Sequence, residues 1–238
     1  MIDIHCHILP ATDDGPNLLS TSLEMASLAA RDGIEKIIAT PHTDGIRVSR
    51  RSVVKSVAAL NKELQQKNIP VEVISGFEIP YPLARELGPT HTLGAGRFVL
   101  LELPHAYVPI DAAATIYFLL DRGVQPVIAH PERNMGILEH PDLLLDLCDA
   151  GAMTQLTAAS VTGELGPDVE ECALFLLREG RVDFIATDSH SPSFRRPVLG
   201  PAYRRVKKLV GREAADRISF HNPETLLRPW ERGADPFP

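Results

Sequence analysis

The chain alternates short apolar runs with longer stretches in which apolar residues recur at helical spacing. Seven runs carry the strand signature: "IDIHCH", "KIIATPH", "VEVISGFEI", "RFVLLEL", "VQPVIAH", "AMTQL" and "VDFIATD". Between them the pattern predicts helices over 21–32, with Thr21 and Glu24 as a capping box and Gly33 at the end, and over 48–67. Further helices are predicted over 111–122, 137–150 and 167–179, ending at Gly123, Gly151 and Gly180. After the last strand, 201–215 reads as helical, "NPETLLRP" as a short helix, and residues 229–238 as a flexible tail. Strands that alternate with helices pair in parallel, so the fold class is α/β, and seven units make either a barrel or an open doubly wound sheet.

The ionisable residues are not spread evenly over this pattern. They fall at the C-terminal ends of the runs: His5 and His7, His42 in "TPH", Glu78 in "GFE", Glu102 in "LLELP", His130 in "IAHPER", and Asp188 with His190 in "ATDSH". Only "AMTQL" lacks one. Alternate side chains of a strand share a face, which puts His5 with His7 and sets Ile4, Cys6 and Ile8 opposite. In a parallel barrel the C-terminal strand ends converge on one mouth. Each residue alone has an ordinary explanation: Glu102 as a surface charge, His130 as a satisfied core ring, Asp188 as a helix cap. Repetition of the same residue types at strand end after strand end points instead to a shared metal site, because imidazole and carboxylate are the ligands that divalent ions take together. With Asp14 of "DDGP", preferred here over Asp13, the set comprises five histidines and four carboxylates. One ion with an open position needs only three or four protein ligands, so this set suits two or three ions with a bridging carboxylate.

Composition narrows the class. At 238 residues, 44% hydrophobic and 23% charged, the chain suits one barrel-sized soluble domain, expected over residues 1–228. No apolar run approaches membrane-spanning length and Met1 leads straight into a strand with no basic segment before it, so a cytoplasmic protein without a membrane span is expected. Three scattered cysteines, Cys6, Cys148 and Cys172, fit a reducing compartment. A formal charge of −7 with no Lys/Arg cluster argues against nucleic acid as the main partner.

The set H-x-H, "DG", "TPH", "GFEIPY", "LLELP", "PVIAHPER" and "ATDSH" resembles the PHP (polymerase and histidinol phosphatase) superfamily. Within it the chain is similar to the CpsB/CapC group of bacterial tyrosine-protein phosphatases encoded beside capsule and exopolysaccharide genes. The likeness runs from Met1 to about Pro197 and includes the group-specific opening "MIDIHCHILPATDDGP". It implies a TIM-like, distorted (β/α)7 barrel holding three divalent ions, typically manganese, with iron or zinc as alternatives. It also implies hydrolysis of phosphotyrosine on the tail of a bacterial autophosphorylating tyrosine kinase. On this resemblance His5, His7, Asp14, His42, Glu78, Glu102, His130, Asp188 and His190 are metal ligands. It further points to Arg133 and Arg195 as phosphate-binding groups, with Arg196 as the alternative to Arg195; a planar guanidinium suits bidentate grip on phosphate oxygens. Thr157, where the group usually has asparagine, and "HPERN" in place of "HPERY" depart from the group pattern on the rim expected to meet the phosphorylated peptide.

The chemistry expected of such a site is attack by a water acidified between two divalent ions, with ions and arginines neutralising the phosphoryl oxygens. A metal-bound water or a mouth histidine such as His105 is the candidate proton donor to the leaving phenolate, although His105 and His91 read equally well as loop residues. Three divalent ions would bring the formal charge from −7 to about −1, which reconciles an acidic chain with an anionic substrate. Two alternatives are a small-molecule phosphomonoesterase, such as a histidinol-phosphate phosphatase, and a non-catalytic metal-binding regulator; the complete ligand set speaks against the regulator. "CALFLLR", from Cys172 to Arg178, matches the C-x5-R pattern of thiolate phosphatases. It lies in an apolar-faced helix, with no glycines to turn backbone N–H groups onto an anion, so it is expected to be inert.

Overall fold

Runs rich in Ile, Val and Leu leave neither face fit for water, so they need cover on both sides. The computed structural model, which describes residues 1–229, provides it. The strands are β1 (Ile2–Cys6), β2 (Lys36–Ala39), β3 (Glu72–Ser75), β4 (Glu78–Pro80), β5 (Phe98–Glu102), β6 (Gln125–Ala129), β7 (Met153–Thr157) and β8 (Phe184–Ala186). Every pairing is parallel, in two sheets of order β1-β2-β3 and β4-β5-β6-β7-β8. Eight segments replace the seven expected because "VEVISGFEI" is not one strand. It breaks after Ser75, so that β3 ends the first sheet and β4 begins the second. The break falls where Gly76 crosses β2 so closely that a Cβ would lie 2.5 Å from Ile38 Cγ2. Single parallel bridges, His42 with Glu78 and Cys6 with Ser189, link the sheets at both edges.

Helices cover the outside: α1 (Leu19–Arg31), α2 (Arg50–Gln66), α3 (Ala84–Leu87), α4 (Ala112–Asp121), α5 (Met135–Glu139), α6 (Asp142–Asp149), α7 (Ala158–Val161), α8 (Pro167–Arg178), α9 (Gly200–Val210), α10 (Arg212–Asp216) and α11 (Asn222–Leu226). Their apolar faces pack on one side of the strands, with Met25, Leu60, Leu119, Leu144, Leu176 and Val206 against Ile37, Val99, Leu101, Ile128 and Ile185. The alternate strand residues, Ile38, Phe98, Leu100, Val127, Phe184 and Ala186, form a second cluster with Leu93 and with Leu226 of α11. Phe98 and Phe184 meet there edge to face at 6.4 Å.

Strict alternation fails in β1. Ile4 joins this second cluster while Cys6 packs under the helices, although both were expected on one face. The reason is a register shift: Asp3 to Cys6 in β1 spans only Ile37 to Ala39 in β2, and the extra residue reverses the facing of the residues after it.

Helix boundaries moved for local reasons. The helix expected to be capped by Thr21 starts two residues earlier, with Leu18 as an N-cap lacking a side-chain bond, and Thr21 N already donates to Leu18 O, so no Thr21/Glu24 capping box forms. In α2 a capping box does form, between Ser49 and Ser52. The single helix expected over 137–150 is two, because Pro141 disfavours helical geometry at His140, which adopts φ −138° and ψ 80°. Gly211, at φ +89°, likewise divides the helix expected over 201–215. The expected flexible tail lies, beyond Pro229, outside the described residues. No helix among the described residues is long and apolar enough to cross a membrane.

Gly76→Ala is expected to lower unfolding free energy by about 1–3 kcal/mol, since the added methyl overpacks the crossing on Ile38. Urea unfolding with an unchanged m-value would show it; an unchanged midpoint would mean that the crossing relaxes freely.

Candidate metal centre

At the C-terminal ends of the strands, His5 and His7 meet with their Nε2 atoms 3.1 Å apart. Glu78, the first residue of β4, reaches between them. Its Oε2 lies 3.3 Å from His5 Nε2, 3.3 Å from His7 Nε2 and 3.2 Å from His42 Nδ1, while Oε1 is 2.9 Å from His130 Nε2. Asp188 presents Oδ1 at 3.4 Å to His5 Nε2, 3.5 Å to His7 Nε2 and 3.6 Å to His190 Nδ1. Asp14 Oδ1 is 3.2 Å from His190 Nε2 and 3.8 Å from His42 Nε2; Glu102 Oε2 is 3.6 Å from His42 Nδ1. The eight residues singled out at strand ends and Asp14 of the loop after β1 therefore converge on one place. Their ligand atoms form four overlapping groups: His7, Asp14, His42 and His190; His5, Glu78 and His130; His5, His7 and Asp188; and His42, Glu78 and Glu102.

Donor chemistry and burial both suit divalent cations. Glu78 Oε2 is buried and has no hydrogen-bond partner, although three ring nitrogens stand about it, and a carboxylate oxygen so placed is expected to be paired or to coordinate a cation. Burial alone would drive Glu78 and Asp188 toward the neutral form. The surrounding histidines, His5 foremost, outweigh it and hold both carboxyls well below their usual range. Burial likewise opposes charge on His5, but Glu78 and Asp188 keep that ring above its ordinary value; His7 is held well above by Asp13, Asp188 and Glu78. His190 moves the other way, down to about 4, through burial and the charge of His7. The buried carboxylates call for positive charge beside them, and bound cations would supply it in place of imidazole protons.

A second tier holds the first, and most of it escapes sequence reading. Asp13 is not one of the converging oxygens: Oδ2 takes the His7 Nδ1 hydrogen bond at 2.6 Å and the His42 backbone N–H at 3.0 Å, and Oδ1 takes Gly15 N–H. Asp14, with its side chain 60% exposed, is left to face His190 and His42. A Cβ at Gly15 would collide with the His7 carbonyl oxygen, which is why glycine follows the two aspartates. β7, whose run alone does not end in an ionisable residue, contributes Gln155, whose Oε1 is 2.8 Å from His5 Nδ1. A buried glutamine in an otherwise apolar run was the available signal. Glu132, fully buried beside His130, accepts from Thr157 N and Ser160 Oγ and so ties the loop after β6 to the end of β7. Asp3 does the same between β1 and Thr187 after β8; burial raises its pKa to about 6.

Both arginines reach the cluster. Arg133 Nη1 and Arg195 Nη1 donate to Asp188 Oδ2, the latter at 2.7 Å, and Arg195 Nε is buried without a partner. Arg196 is exposed. His130, Asp188, Arg195 and Ala11 have positive φ of 34°, 48°, 48° and 51°; of the described non-glycine residues only Asn68 shares this conformation. Such backbone strain concentrates where the surroundings over-determine geometry, commonly at functional sites.

Away from the cluster, Asn134 caps α5 through Ile137 N and donates to Pro104 O and Tyr107 O, so it binds loop to loop. His105 is exposed and lines a hollow of about 300 Å³ with Glu102, His130 and Arg133. His91 is buried against Phe77, a packing role. Cys172 lies within α8, buried, its thiol pushed up to about 12 by burial and by Glu132; Cys6 is fully buried and raised well above its usual value by burial and by Asp3.

A family model described as capsular polysaccharide synthesis, CpsB/CapC, matches residues 1–228. The tyrosine-protein phosphatase YwqE of Bacillus subtilis is 38% identical over 234 residues, 96% of this chain and 92% of that one. The putative tyrosine-protein phosphatase CapC of Staphylococcus aureus is 32% identical over 197 residues, 80% and 77% of the two chains. A structure solved in work on YwqE and on CpsB from Streptococcus pneumoniae, described as unique metal-dependent tyrosine phosphatases, superposes with a TM-score of 0.91 at 37% identity, covering 99% of this chain and 98% of that one. A β-aspartyl dipeptidase from Fervidobacterium islandicum, at 15% identity and a TM-score of 0.57 over 95% of this chain and 72% of that one, shares the fold alone.

Gln155→Leu is expected to weaken divalent-cation binding, followed by titration calorimetry, by about 10–100-fold, because His5 loses the acceptor that orients its ring. Gln155→Glu, which can still accept from Nδ1, should retain most of the affinity. Unchanged binding in the leucine variant would show that His5 needs no such anchor.

Proposed function

The chain belongs to the CpsB/CapC family, and we propose that it hydrolyses phosphotyrosine on protein with two or three divalent cations, manganese first among them. The observation that carries this reading is the buried Glu78 Oε2, which has no hydrogen-bond partner and is ringed by His5, His7 and His42. Residues 1–228 act as one phosphatase domain. We read the strands as a distorted (β/α)7 barrel in which β3 and β4 are one interrupted strand, a reading supported by the bridges that join the sheets at both edges. The phosphoprotein is taken to be a bacterial tyrosine kinase, and its reaction cytoplasmic, in line with a role in capsule synthesis.

His5, His7, Asp14, His42, Glu78, Glu102, His130, Asp188 and His190 would hold the cations. What divalent cations supply when bound is Lewis acidity, lowering the pKa of water toward neutrality and offsetting charge on phosphoryl oxygens. The chain's own contribution is geometry and charge. Asp13 and Gln155 fix the ring orientations of His7 and His5. Arg133 and Arg195 bind the phosphate, the free Nε–H of Arg195 being a donor the protein does not use. His105, beside Glu102, His130 and Arg133, stands where a proton can be handed to the departing phenolate. That leaving group has a pKa near 10, so weak assistance suffices. Neither Cys6 nor Cys172 takes part, since a buried thiol of raised pKa supplies almost no thiolate.

Three measurements test this. Chelation should abolish hydrolysis of para-nitrophenyl phosphate and phosphotyrosyl peptides and Mn²⁺ should restore it, with peptides preferred over histidinol phosphate; full activity after stripping would refute the reading. Arg133→Ala and Arg195→Ala should each lower kcat/KM by about ten-fold or more, at about 1.4 kcal/mol per decade, while elemental analysis finds the cations retained. Cys172→Ser should keep near wild-type activity, and a folded but dead variant would favour thiolate chemistry instead.

A further inference from the structure

We propose that the groove between α5 and α8 is a second recognition surface, which takes an apolar residue flanked by lysine or arginine in the phosphorylated segment of the substrate protein. The inference rests on the phosphatase reading and extends it from the phosphate to its flanking sequence.

The groove encloses about 530 Å³. Its floor is apolar, formed by Met135, Leu138 and Phe175, and its rim carries the carboxylates of Glu139, Asp168 and Glu171; no basic side chain lines it. All three carboxylates are exposed, and among the described residues none of them makes an ion pair or side-chain hydrogen bond. Met135 leaves 48% of its surface to water. An apolar floor under three uncompensated negative charges matches a side chain of long methylene stem and cationic head, or an apolar residue with such a neighbour. The same charges repel acidic segments.

Position relative to the mouth gives the groove its meaning. The turn Pro131–Arg133 follows β6 at its C-terminal end and carries Arg133 to the mouth; α5 continues from it, and α8 packs against both that turn and α5. Met135 follows Arg133 by two residues, at most about 7 Å of chain, and its N–H is bound by His105 O on the mouth. An extended peptide with its phosphotyrosine at Arg133 and Arg195 would cover that gap in about two to four residues, at roughly 3.3 Å each. The mouth thus selects an anion and the groove beside it a cation. A phosphate alone uses only the first.

The test uses cation-loaded protein and non-hydrolysable phosphonate peptides that carry either Leu with Lys/Arg or Leu with Glu two to four residues from the phosphotyrosine mimic. Fluorescence anisotropy at low salt should show the basic peptide binding about ten-fold tighter or more, with the preference shrinking as salt rises. In the triple variant Glu139→Gln, Asp168→Asn, Glu171→Gln the preference should disappear while para-nitrophenyl phosphate hydrolysis stays at the wild-type rate. Met135→Ser should weaken both peptides. Equal affinity for the two peptides in the wild type, or a preference that survives the triple change, overturns the proposal. So does a concentration-dependent dimer in sedimentation that the triple change dissolves, since the occupant would then be a second copy of the chain. Failure of the loaded wild type to hydrolyse either para-nitrophenyl phosphate or a phosphotyrosyl peptide sinks the phosphatase reading, and the binding comparison still decides the groove.

Discussion

Glu78 carries a negative charge where water does not reach, and the mouth of the protein is arranged around that fact. A lone carboxylate so deeply buried would take up a proton. Four imidazoles, from His5, His7, His42 and His130, face its two oxygens, and His5, with His130 and His7, holds it ionised. The backbone of the same residue joins the two sheets, since Glu78 N donates to Pro41 O and Glu78 O accepts from Thr43 N. The residue that concentrates charge is therefore also the one at which β2's continuation meets β4. Sheet junction and site cannot be moved independently, and the close crossing at Gly76 just upstream sets where both fall.

Asp188 divides the mouth. Its Oδ1 turns to the histidines and its Oδ2 to Arg133 and Arg195, so one carboxylate separates the side that suits cations from the side that suits an anion. Placing it there requires a left-handed backbone at Asp188 itself, and the residues opposite, His130 and Arg195, share that conformation. Each such residue costs of order 1–3 kcal/mol. The bonds that impose it are visible: Asp188 N to His5 O, Ser189 in register with Cys6, and Asp3 clamping Thr187. Stability is given up on the rim to keep charged groups within reach of one another.

This arrangement explains how a chain of net charge −7 can serve an anionic substrate. Carboxylates at the centre are engaged with imidazole and guanidinium, and the acidic excess lies elsewhere, including the rim of the α5–α8 groove. The local field, not the total charge, decides what approaches the mouth. Asp13 and Gln155 act in the same local way: neither belongs to the converging set, yet each orients one of its rings through the far nitrogen.

Strands, their parallel sense and the gathering of nine ligand-type residues were legible in the order of residues, because burial on both faces writes itself as short apolar runs and a site at strand ends leaves its ionisable groups at the same point of each run. The helical setting of Cys172 was legible too, since the periodicity around it is local. Other features depended on groups far apart in the chain. The interruption of the third strand depends on Ile38 meeting Gly76. That Ile4 faces away from the side Cys6 takes depends on a bulge against β2. The division of labour between Asp13 and Asp14 depends on which one His7 and the His42 backbone claim first, and the part of Gln155 depends on a histidine 150 residues away. Periodicity and propensity are local and survive in sequence. Register, close crossings and the pairing of buried polar atoms are settled only when distant segments pack together.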